Sequence, residues 1–306
     1  MKISVAIPTY KRPDYLIEAF NSVLSQERKP FEVIIVRRSG DSPTKSVVER
    51  LHREYSGLTI VDSVVDDPGF LPPIVKAIDA ANGEILVFLD DDAEAHPDWL
   101  RKIVDQYSDP KIGGVGGRYV NFFDGIKQEY PSAKTVGKLF WFGRSVGNMY
   151  CDCTFTDPVE VDFLIGGNSS YRLGLLKKTI PDLRLGKNVA FHWEMDVGLG
   201  IKRLGYKLMF SPDIKVDHHS APREIEGMRS VNYEGIYWSN YNYTLIMKKY
   251  LKPGGFVAYL IYSFLIGWSG SPGIAYVLFK LCKLERISWS DSIKSSILGR
   301  IRGSIS

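Results

Sequence analysis

Residues 85–92 read ILVFLDDD, an apolar run followed directly by Asp90, Asp91 and Asp92. A short run of this kind is typical of a strand that is buried on both faces, as in a parallel sheet covered by helices. Three adjacent carboxylates repel one another unless a cation or a proton intervenes. The stretch therefore predicts a central strand whose carboxyl end carries a concentrated negative charge.

The segments around this stretch alternate between two patterns. Runs rich in β-branched residues predict further strands at residues 3–7, 31–36 and 59–65. The segments between the strands have the apolar spacing of helices, at residues 15–24, 47–55 and 74–81. Alternating strands and helices predict an α/β fold with a mostly parallel central sheet and helices on both faces.

Sheets of this type bind ligands beyond the carboxyl ends of their strands, which is where the three aspartates lie. Hard divalent cations such as Mg²⁺ and Mn²⁺ take oxygen ligands, and substrate phosphates often supply some of these oxygens. The first interpretation is therefore a site for a metal ion and a diphosphate. The alternative is an acidic turn in which Asp92 or Asp98 caps the following helix.

Five motifs occur in order along roughly residues 1–220. They are VAIPTYKR (5–12), ANGEILVFLDDD (81–92) with PDWL (97–100), GGNSSYR (166–172), WEMD (193–196) with RLGY (203–206), and VDHH (216–219). Together they resemble glycosyltransferase family 2, whose members are inverting enzymes with the Rossmann-like GT-A fold. The resemblance implies a hexosyltransferase that uses Mg²⁺ or Mn²⁺ and moves a sugar from a UDP- or GDP-linked donor to a glycan or lipid-linked acceptor.

The resemblance also assigns the donor side of the site. Asp90 falls where the family contacts the ribose region, and Asp92 falls on the metal ligand. The other residues that these motifs place at the donor are Pro8, Thr9, Tyr10, Arg12 and Asp91.

A departure from the family pattern follows the second predicted strand. After the second predicted strand the family usually has an aspartate that contacts the nucleobase, whereas this chain has Arg37 and Arg38. Asp41 and Asp66 are the candidates to replace that aspartate. Arg37 could instead bind a phosphate through two parallel hydrogen bonds.

The acceptor side is assigned in the same way. The resemblance implies a carboxylate base at the start of the WEMD helix, and counting back from the RLGY segment places it on Glu194, with Asp196 as the competitor. Without the resemblance, Glu194 would be interpreted as an exposed helix carboxylate paired with a lysine or arginine. Asn168 and Trp193 are predicted to lie near the acceptor, and Gly167 would let the backbone approach the substrate closely.

A histidine completes the predicted metal site. His218 lies at the end of a predicted strand, at the position of the family's histidine, and is expected to contact the metal or the diphosphate. The alternative is a surface pair formed with His219 in a turn.

The charge of the chain is concentrated near its end. The formal net charge is +4, and residues 254–306 contain six basic and two acidic residues, which leaves residues 1–253 neutral. A charge this small does not predict a nucleic-acid partner.

Two apolar blocks, at residues 256–268 and 274–282, are too short to cross about 30 Å of hydrocarbon. We expect a helical hairpin at residues 254–284 that docks on an anionic membrane surface. The alternatives are helices packed in the core and a dimer contact.

The expected organisation is a catalytic domain at residues 1–225, with a nucleotide-binding half at 1–110 and an acceptor half at 111–225, followed by a partly apolar helical region at 226–306. Three cysteines, an odd and sparse set, indicate a reduced compartment. Residues 1–2 lead directly into the first predicted strand, so we expect no signal peptide. The expected location is cytoplasmic, peripheral on the membrane. The competing functions are a nucleotidyltransferase and a non-catalytic membrane-associated scaffold.

Overall fold

The computed structural model describes residues 1–185, 191–221, 233–268, 270–282 and 289–306. Its strands are β1 (Ile3–Thr9), β2 (Glu32–Arg38), β3 (Thr59–Val65), β4 (Ile85–Leu89), β5 (Ala93–Ala95), β6 (Ile112–Phe123), β7 (Ile126–Lys127), β8 (Lys138–Leu139), β9 (Ser145–Val146), β10 (Val159–Val161), β11 (Asn168–Arg172), β12 (Lys207–His219), β13 (Gly267–Trp268) and β14 (Ser271–Pro272). Its helices are α1 (Pro13–Leu24), α2 (Ser42–Glu54), α3 (Leu71–Ala80), α4 (Trp99–Gln106), α5 (Leu173–Leu176), α6 (Trp193–Arg203), α7 (Tyr233–Tyr250), α8 (Pro253–Leu265), α9 (Ile274–Cys282) and α10 (Trp289–Ile305).

The central sheet has the strand order β10-β12-β6-β11-β4-β1-β2-β3, with β5 added beside β12 and β7 beside β6. Strands β1 to β4 pair in parallel, as the sequence predicts. Strand β11 lies antiparallel between β4 and β6, and β12 runs parallel to β6. The carboxyl ends of β1, β2, β3, β4, β6 and β12 therefore meet at one edge of the sheet, where ligands bind in folds of this type.

Apolar side chains alternate between the two faces of the sheet. In β4, Val87 packs with α1, α2 and α4, whereas Phe88 packs on the other face with α3, α6 and α7. All five residues of β4 are buried, which explains why the strand reads as a continuous apolar run. The predicted α/β fold is confirmed.

The sequence pattern also predicts strands at residues 161–165, 207–210 and 214–216, and the structure differs from these predictions. Residues 161–165 do not form a strand: β10 ends at Val161, and the chain turns away because the carboxylate of Asp162 binds Lys202 at 2.5 Å and the amide of Leu139 at 2.8 Å. The strand that enters the central sheet after this turn is β11, which begins at Asn168. The two short strands predicted at residues 207–210 and 214–216 are one strand, β12, whose pairing with β6 is irregular between Ser211 and Lys215.

The helices of the C-terminal region pack on α7. Gly299 and Gly303 of α10 lie against the backbone of α7, so a side chain at either position would meet a carbonyl oxygen of that helix. Helix α7 and Tyr259 of α8 share one hydrophobic cluster with α6 and the sheet. The boundary predicted at residue 225 lies outside the described residues. Among the described helices, none has both the length and the apolar content that a membrane span requires.

Candidate active site

The carboxyl ends of β4 and β12 bring together two aspartates and a histidine. After β4 the chain turns back into β5, which pairs antiparallel with β12 and sets Ala93 opposite His218. The amide of His219 donates to the carbonyl oxygen of Asp92 at 2.8 Å. As a result, ligand atoms of Asp90, Asp92 and His218 all lie within 4.8 Å of one another. The sheet topology explains this cluster, since more than a hundred residues separate His218 from the two aspartates in the chain.

Asp92 is the most strongly held of the three. It is 5% exposed; its Oδ1 lies 3.3 Å from Nε2 of His218, and its Oδ2 lies 3.3 Å from Nη1 of Arg12 and 3.2 Å from the amide of Ala221. Burial raises the pKa of Asp92, but the hydrogen bond and charge of His218, with smaller contributions from Arg12 and Ala221, outweigh it and hold the pKa at about 2. Asp92 is therefore ionised throughout the physiological range.

Asp91 differs from its neighbours although it lies between them. Burial raises the pKa of Asp91 to about 7, even though Nη1 of Arg12 lies 3.0 Å from its Oδ1. Arg12 thus bridges Asp91 and Asp92 and offsets part of their negative charge. The arrangement places three carboxylates, one guanidinium and one imidazole at the same edge of the sheet.

The alternative of a helix-capping acidic turn does not describe this arrangement. Asp98 stands at the start of α4, but its carboxylate makes no capping hydrogen bond and instead lies 2.8 Å from Nζ of Lys102. The carboxylate of Asp92 faces His218 and Arg12. Two carboxylates and one imidazole form a donor set that suits a hard divalent cation.

Asp90 is oriented by residues from two other strands. The hydroxyl of Tyr119, on β6, donates to Oδ2 of Asp90 at 2.6 Å. Gly167, immediately before β11, lies against the same carboxylate, and a Cβ atom there would overlap both Asp90 and the Tyr119 hydroxyl. The space for Asp90 therefore depends on the absence of a side chain at position 167.

The predicted nucleotide edge lies beyond β1 and β2. Thr9 ends β1 opposite Arg37 of β2. Lys11 adopts a left-handed conformation, with φ of 54°, and its amide donates to Oδ2 of Asp41 at 2.6 Å. Asp41 also caps α2 by accepting from the amide of Thr44 at 3.2 Å, so its buried carboxylate fixes the turn after β1. The guanidinium of Arg38 lies 5.2 Å from the centre of the Tyr10 ring.

Arg37 and Asp66 occupy different environments. Arg37 is 7% exposed, and its Nε and Nη2 each donate at 2.8 Å to the carboxylate of Asp62 on the neighbouring strand β3. The carboxylate of Asp62 thus accepts the two parallel hydrogen bonds of the Arg37 guanidinium that were predicted to bind a phosphate. Asp66 is exposed just beyond β3, and Pro8 is half-buried at the end of β1. The roles predicted for Arg37 and Asp66 stay predictions.

Helix α6 places its two carboxylates in contrasting surroundings. Asp196 is 1% exposed; its Oδ1 lies 2.6 Å from Nζ of Lys249, and its Oδ2 accepts from the amide of Asp182 at 2.8 Å. Tyr250 donates to the carbonyl oxygen of the same residue at 2.9 Å. Glu194 is half-buried, in the first turn of the helix.

The start of α6 lies close to the aspartate cluster. The indole of Trp193 packs edge-on against Phe88 of β4, with ring centres 5.4 Å apart, and it also contacts Gly166. Because Gly167 contacts Asp90, the two glycines separate the first turn of α6 from the carboxylates after β4. Glu194 follows Trp193 directly in the first turn of α6.

Two residues predicted to lie near the acceptor belong to the interior. Asn168 is fully buried; its Oδ1 accepts from Nε1 of Trp99 at 2.8 Å, and its Nδ2 donates to the carbonyl oxygens of Arg118 and Ile214. Trp193 is 2% exposed. Both residues hold the elements around the site together, and direct contact with an acceptor stays a prediction.

Sequence reasoning missed four residues of this region. Tyr119 and Asn121 lie on β6, where the sequence offered only a composition rich in glycine and aromatic residues. Asp62 lies within a predicted strand, where its position gives no sign of a partner. Lys249 lies in helix α7, far along the chain from its partner Asp196. No motif marks any of them, because their partners are distant in sequence.

This fold, with an acidic cluster at the carboxyl edge of its sheet, defines the class of GT-A glycosyltransferases. The model of "Glycosyl transferase family 2" matches residues 4–180. The chain belongs to that family, and the predicted family resemblance is confirmed. Membership sets aside the nucleotidyltransferase that the sequence left open.

Individual proteins are similar over parts of the chain. The O-antigen biosynthesis protein RfbC of Myxococcus xanthus is 26% identical over 257 residues, which are 78% of this chain and 19% of that protein. The glucosyl-dolichyl phosphate glucuronosyltransferase of Haloferax volcanii is 30% identical over 138 residues, which are 42% of each chain. This chain thus spans less than half the length of either relative.

A solved structure supports the fold over nearly the whole chain. The mannosyltransferase PcManGT of Pyrobaculum calidifontis, solved with GDP-Man and Mn²⁺, matches 99% of this chain and 86% of its own, with a TM-score of 0.61 and 15% identity. At this identity the likeness shows the fold alone.

Proposed function

We propose that the protein is a metal-dependent inverting glycosyltransferase that moves a sugar from a UDP- or GDP-linked donor to a hydroxyl of a glycan or lipid-linked acceptor. The observation that carries this proposal is the cluster of Asp90, Asp92 and His218, whose ligand atoms all lie within 4.8 Å of one another. Family membership and the likeness to a transferase solved with GDP-Man and Mn²⁺ support it.

The donor site combines positive and negative charge in a way that suits a nucleoside diphosphate. Asp90, Asp92 and His218 would hold Mg²⁺ or Mn²⁺, which would neutralise the leaving diphosphate. Arg12 compensates the buried carboxylates from the side of α1. Tyr10 and Arg38, stacked at the ends of β1 and β2, lie where the nucleobase would bind in a sheet of this type.

Glu194 is the carboxylate that we propose as the base. Asp196 is buried and already bound by Lys249 and the amide of Asp182, so an acceptor hydroxyl does not reach it. Glu194 is partly exposed one residue after Trp193, which packs against β4. A base on the acceptor side must lie opposite the leaving group, and α6 approaches the carboxylates after β4 across the two glycines.

The proposed reaction is a single displacement. The acceptor oxygen forms a bond to the anomeric carbon while the bond from that carbon to the diphosphate oxygen breaks. The proton of the acceptor hydroxyl passes to the carboxylate of Glu194. The nucleoside diphosphate leaves on the opposite face, so the anomeric configuration inverts.

The variant Glu194→Gln tests this assignment. It should bind the nucleotide-sugar as the unmodified protein does, while release of nucleoside diphosphate falls about 100-fold or more. The control is Glu54→Gln, an exposed glutamate at the end of α2, which should change neither quantity. Binding is measured by calorimetry with Mn²⁺ present, and product by a coupled assay. Unchanged turnover in Glu194→Gln would show that another group takes the proton.

We also propose that the protein works on the surface of an anionic bilayer, where it would reach a lipid-linked acceptor. Helix α8 exposes Val257, Ile261 and Leu265 at four-residue spacing, each 53–56% exposed. Trp141, at 71% exposed, packs through Phe142 onto Tyr262 of the same helix and extends this surface. Further exposed apolar residues on α9 are Ile274, Leu278 and Phe279.

Charge favours lipid over a second copy of the chain as the occupant. Lys252 begins α8 and Lys280 lies in the last turn of α9, so basic groups flank the apolar surface. Such a pattern is attracted to anionic lipid, as at a cytoplasmic leaflet. Two copies placed face to face would instead bring like charges together. Removing the exposed half of each apolar side chain from water contributes on the order of 1 kcal/mol.

Co-sedimentation with vesicles tests the membrane proposal. The protein should sediment with phosphatidylglycerol vesicles and less with phosphatidylcholine vesicles. The double variant Ile261→Glu/Leu265→Glu should lose this binding, whereas Val64→Glu, on the opposite edge strand β3, should retain it. Equal sedimentation of the double variant, or a concentration-dependent dimer that only this variant abolishes, would refute membrane docking.

A further inference from the structure

Strand β6 supplies a second layer of residues behind the candidate metal ligand His218. Strands β6 and β12 pair in parallel, with Asn121 opposite His218. Oδ1 of Asn121 lies 3.1 Å from Nδ1 of His218, and Nδ2 of Asn121 donates to the hydroxyl of Tyr130 at 3.2 Å. The ring of Tyr119 stacks on the imidazole, with centres 4.9 Å apart and planes inclined by 18°.

These contacts restrict both the orientation and the tautomer of the imidazole. A side-chain amide oxygen only accepts hydrogen bonds, so the ring nitrogen that faces it carries the proton. With a proton held on Nδ1, Nε2 is the nitrogen that faces Asp92, 3.3 Å away, and the one that can give up its hydrogen bond to Asp92 in favour of a metal. A metal binds a histidine through an unprotonated nitrogen, and the hydrogen bond on the other nitrogen fixes which one is available.

We propose that Asn121 is a positioning residue that holds His218 in the tautomer with a free Nε2, and that Tyr130 in turn orients the amide of Asn121. This inference rests on the proposed metal-dependent function. Neither residue contacts the reacting atoms. Because stacking on Tyr119 fixes the plane of the ring and Asn121 fixes the proton on Nδ1, Nε2 already faces Asp92 before any metal binds.

The opposite orientation of the Asn121 amide predicts a different tautomer of His218, so the two orientations can be distinguished by experiment. If the amide of Asn121 were turned so that its nitrogen donated to Nδ1, the proton would sit on Nε2 and oppose metal binding. Asn121→Asp separates the two cases because a carboxylate offers acceptors only. It should leave metal binding unchanged under our proposal, whereas under the alternative it would move the proton from Nε2 to Nδ1 and tighten metal binding.

The experiment measures Mn²⁺ alone, without donor or turnover. Electron paramagnetic resonance of free Mn²⁺ gives the dissociation constant, and electron spin-echo envelope modulation detects the ¹⁴N of a coordinated imidazole. Asn121→Leu should weaken Mn²⁺ binding about 10- to 100-fold and lose the ¹⁴N coupling. Asn121→Asp should keep both, and the exposed control Asn21→Leu on α1 should match the unmodified protein.

The outcomes distinguish this inference from the proposed function. If the unmodified protein binds no Mn²⁺, the metal-dependent function itself fails. If it binds Mn²⁺ with ¹⁴N coupling and Asn121→Leu does the same with equal affinity, the positioning role is refuted. Circular dichroism establishes that each variant is folded. If Asn121→Leu does not fold, Asn121→Asp still decides, since Mn²⁺ binding that is clearly weaker or clearly tighter than in the unmodified protein refutes the proposal.

Discussion

Replacing Lys249 with methionine tests the structural role given to Asp196. In the native protein, Nζ of Lys249 lies 2.6 Å from Oδ1 of Asp196, which is 1% exposed. Methionine keeps much of the side-chain volume but leaves the buried carboxylate without its counter-charge. Removing one partner of a buried ion pair costs about 3–5 kcal/mol. We expect a loss near 3 kcal/mol, because Asp196 keeps the hydrogen bond from the amide of Asp182.

Urea unfolding followed by circular dichroism measures this loss directly, from the midpoint at constant slope. The matched control is Lys248→Met, the same change one residue earlier on the exposed face of α7, which should stay within about 0.5 kcal/mol. The double variant Asp196→Leu/Lys249→Met should recover part of the loss, since no unpaired charge remains. Equal stability of the Lys249→Met and Lys248→Met variants would refute the role of the pair.

Two further changes probe the surroundings of the site. Gly167→Ala should displace Asp90 or the Tyr119 hydroxyl and weaken Mn²⁺ binding about tenfold. The control Gly174→Ala, whose added methyl group meets open space, should leave Mn²⁺ binding unchanged. Equal Mn²⁺ affinities of the two variants would contradict the packing described around Gly167. Burial lowers the pKa of His192 from 6.5 to about 4. Between these pH values the imidazole takes up a proton in the unfolded chain but not in the folded chain. The free energy of unfolding should therefore fall by roughly 3 kcal/mol as the pH drops from 6.5 to about 4. The variant His192→Gln should show a flatter profile in urea unfolding at each pH, and an identical slope would argue against a neutral buried imidazole.

Much of the fold follows from local sequence pattern. Strands β1 to β4 and helices α1 to α3 alternate with clear periodicity, and the prolines near the starts of α1, α2 and α3 agree with the observed helix positions. The acidic end of β4 could be assigned because it terminates a recognisable strand, whereas the role of His218 was predicted from the family resemblance. These features depend on neighbours within a few residues.

The second layer of the site could not be predicted in the same way. Tyr119 and Asn121 act through pairing between β6 and β12, which joins residues about a hundred positions apart. Helical spacing did not separate Glu194 from Asp196 either, since both occur in the first turn of α6. Only the packing of α7 shows that Asp196 is buried against Lys249.

The misplaced strand has a similar explanation. Residues 161–165 have the composition of a strand, but the carboxylate of Asp162 is bound by Lys202, Lys138 and the amide of Leu139, which draws the chain out of the sheet. Likewise, Arg37 could be recognised as unusual from sequence, while its partner Asp62 became apparent only from the register of β2 and β3. Long-range ion pairs leave no periodic signal.

The central claim is that Asp90, Asp92 and His218 hold a divalent cation through which a nucleotide-sugar binds. Calorimetric titration of UDP- and GDP-sugars into the unmodified protein and into Asp92→Asn, each with Mn²⁺ and with EDTA, tests it most directly. We predict that at least one donor binds with Mn²⁺ and that EDTA or Asp92→Asn weakens this binding about tenfold or more. A panel in which no donor binds with Mn²⁺ present, or in which a donor binds equally well with EDTA and to Asp92→Asn, would contradict the claim.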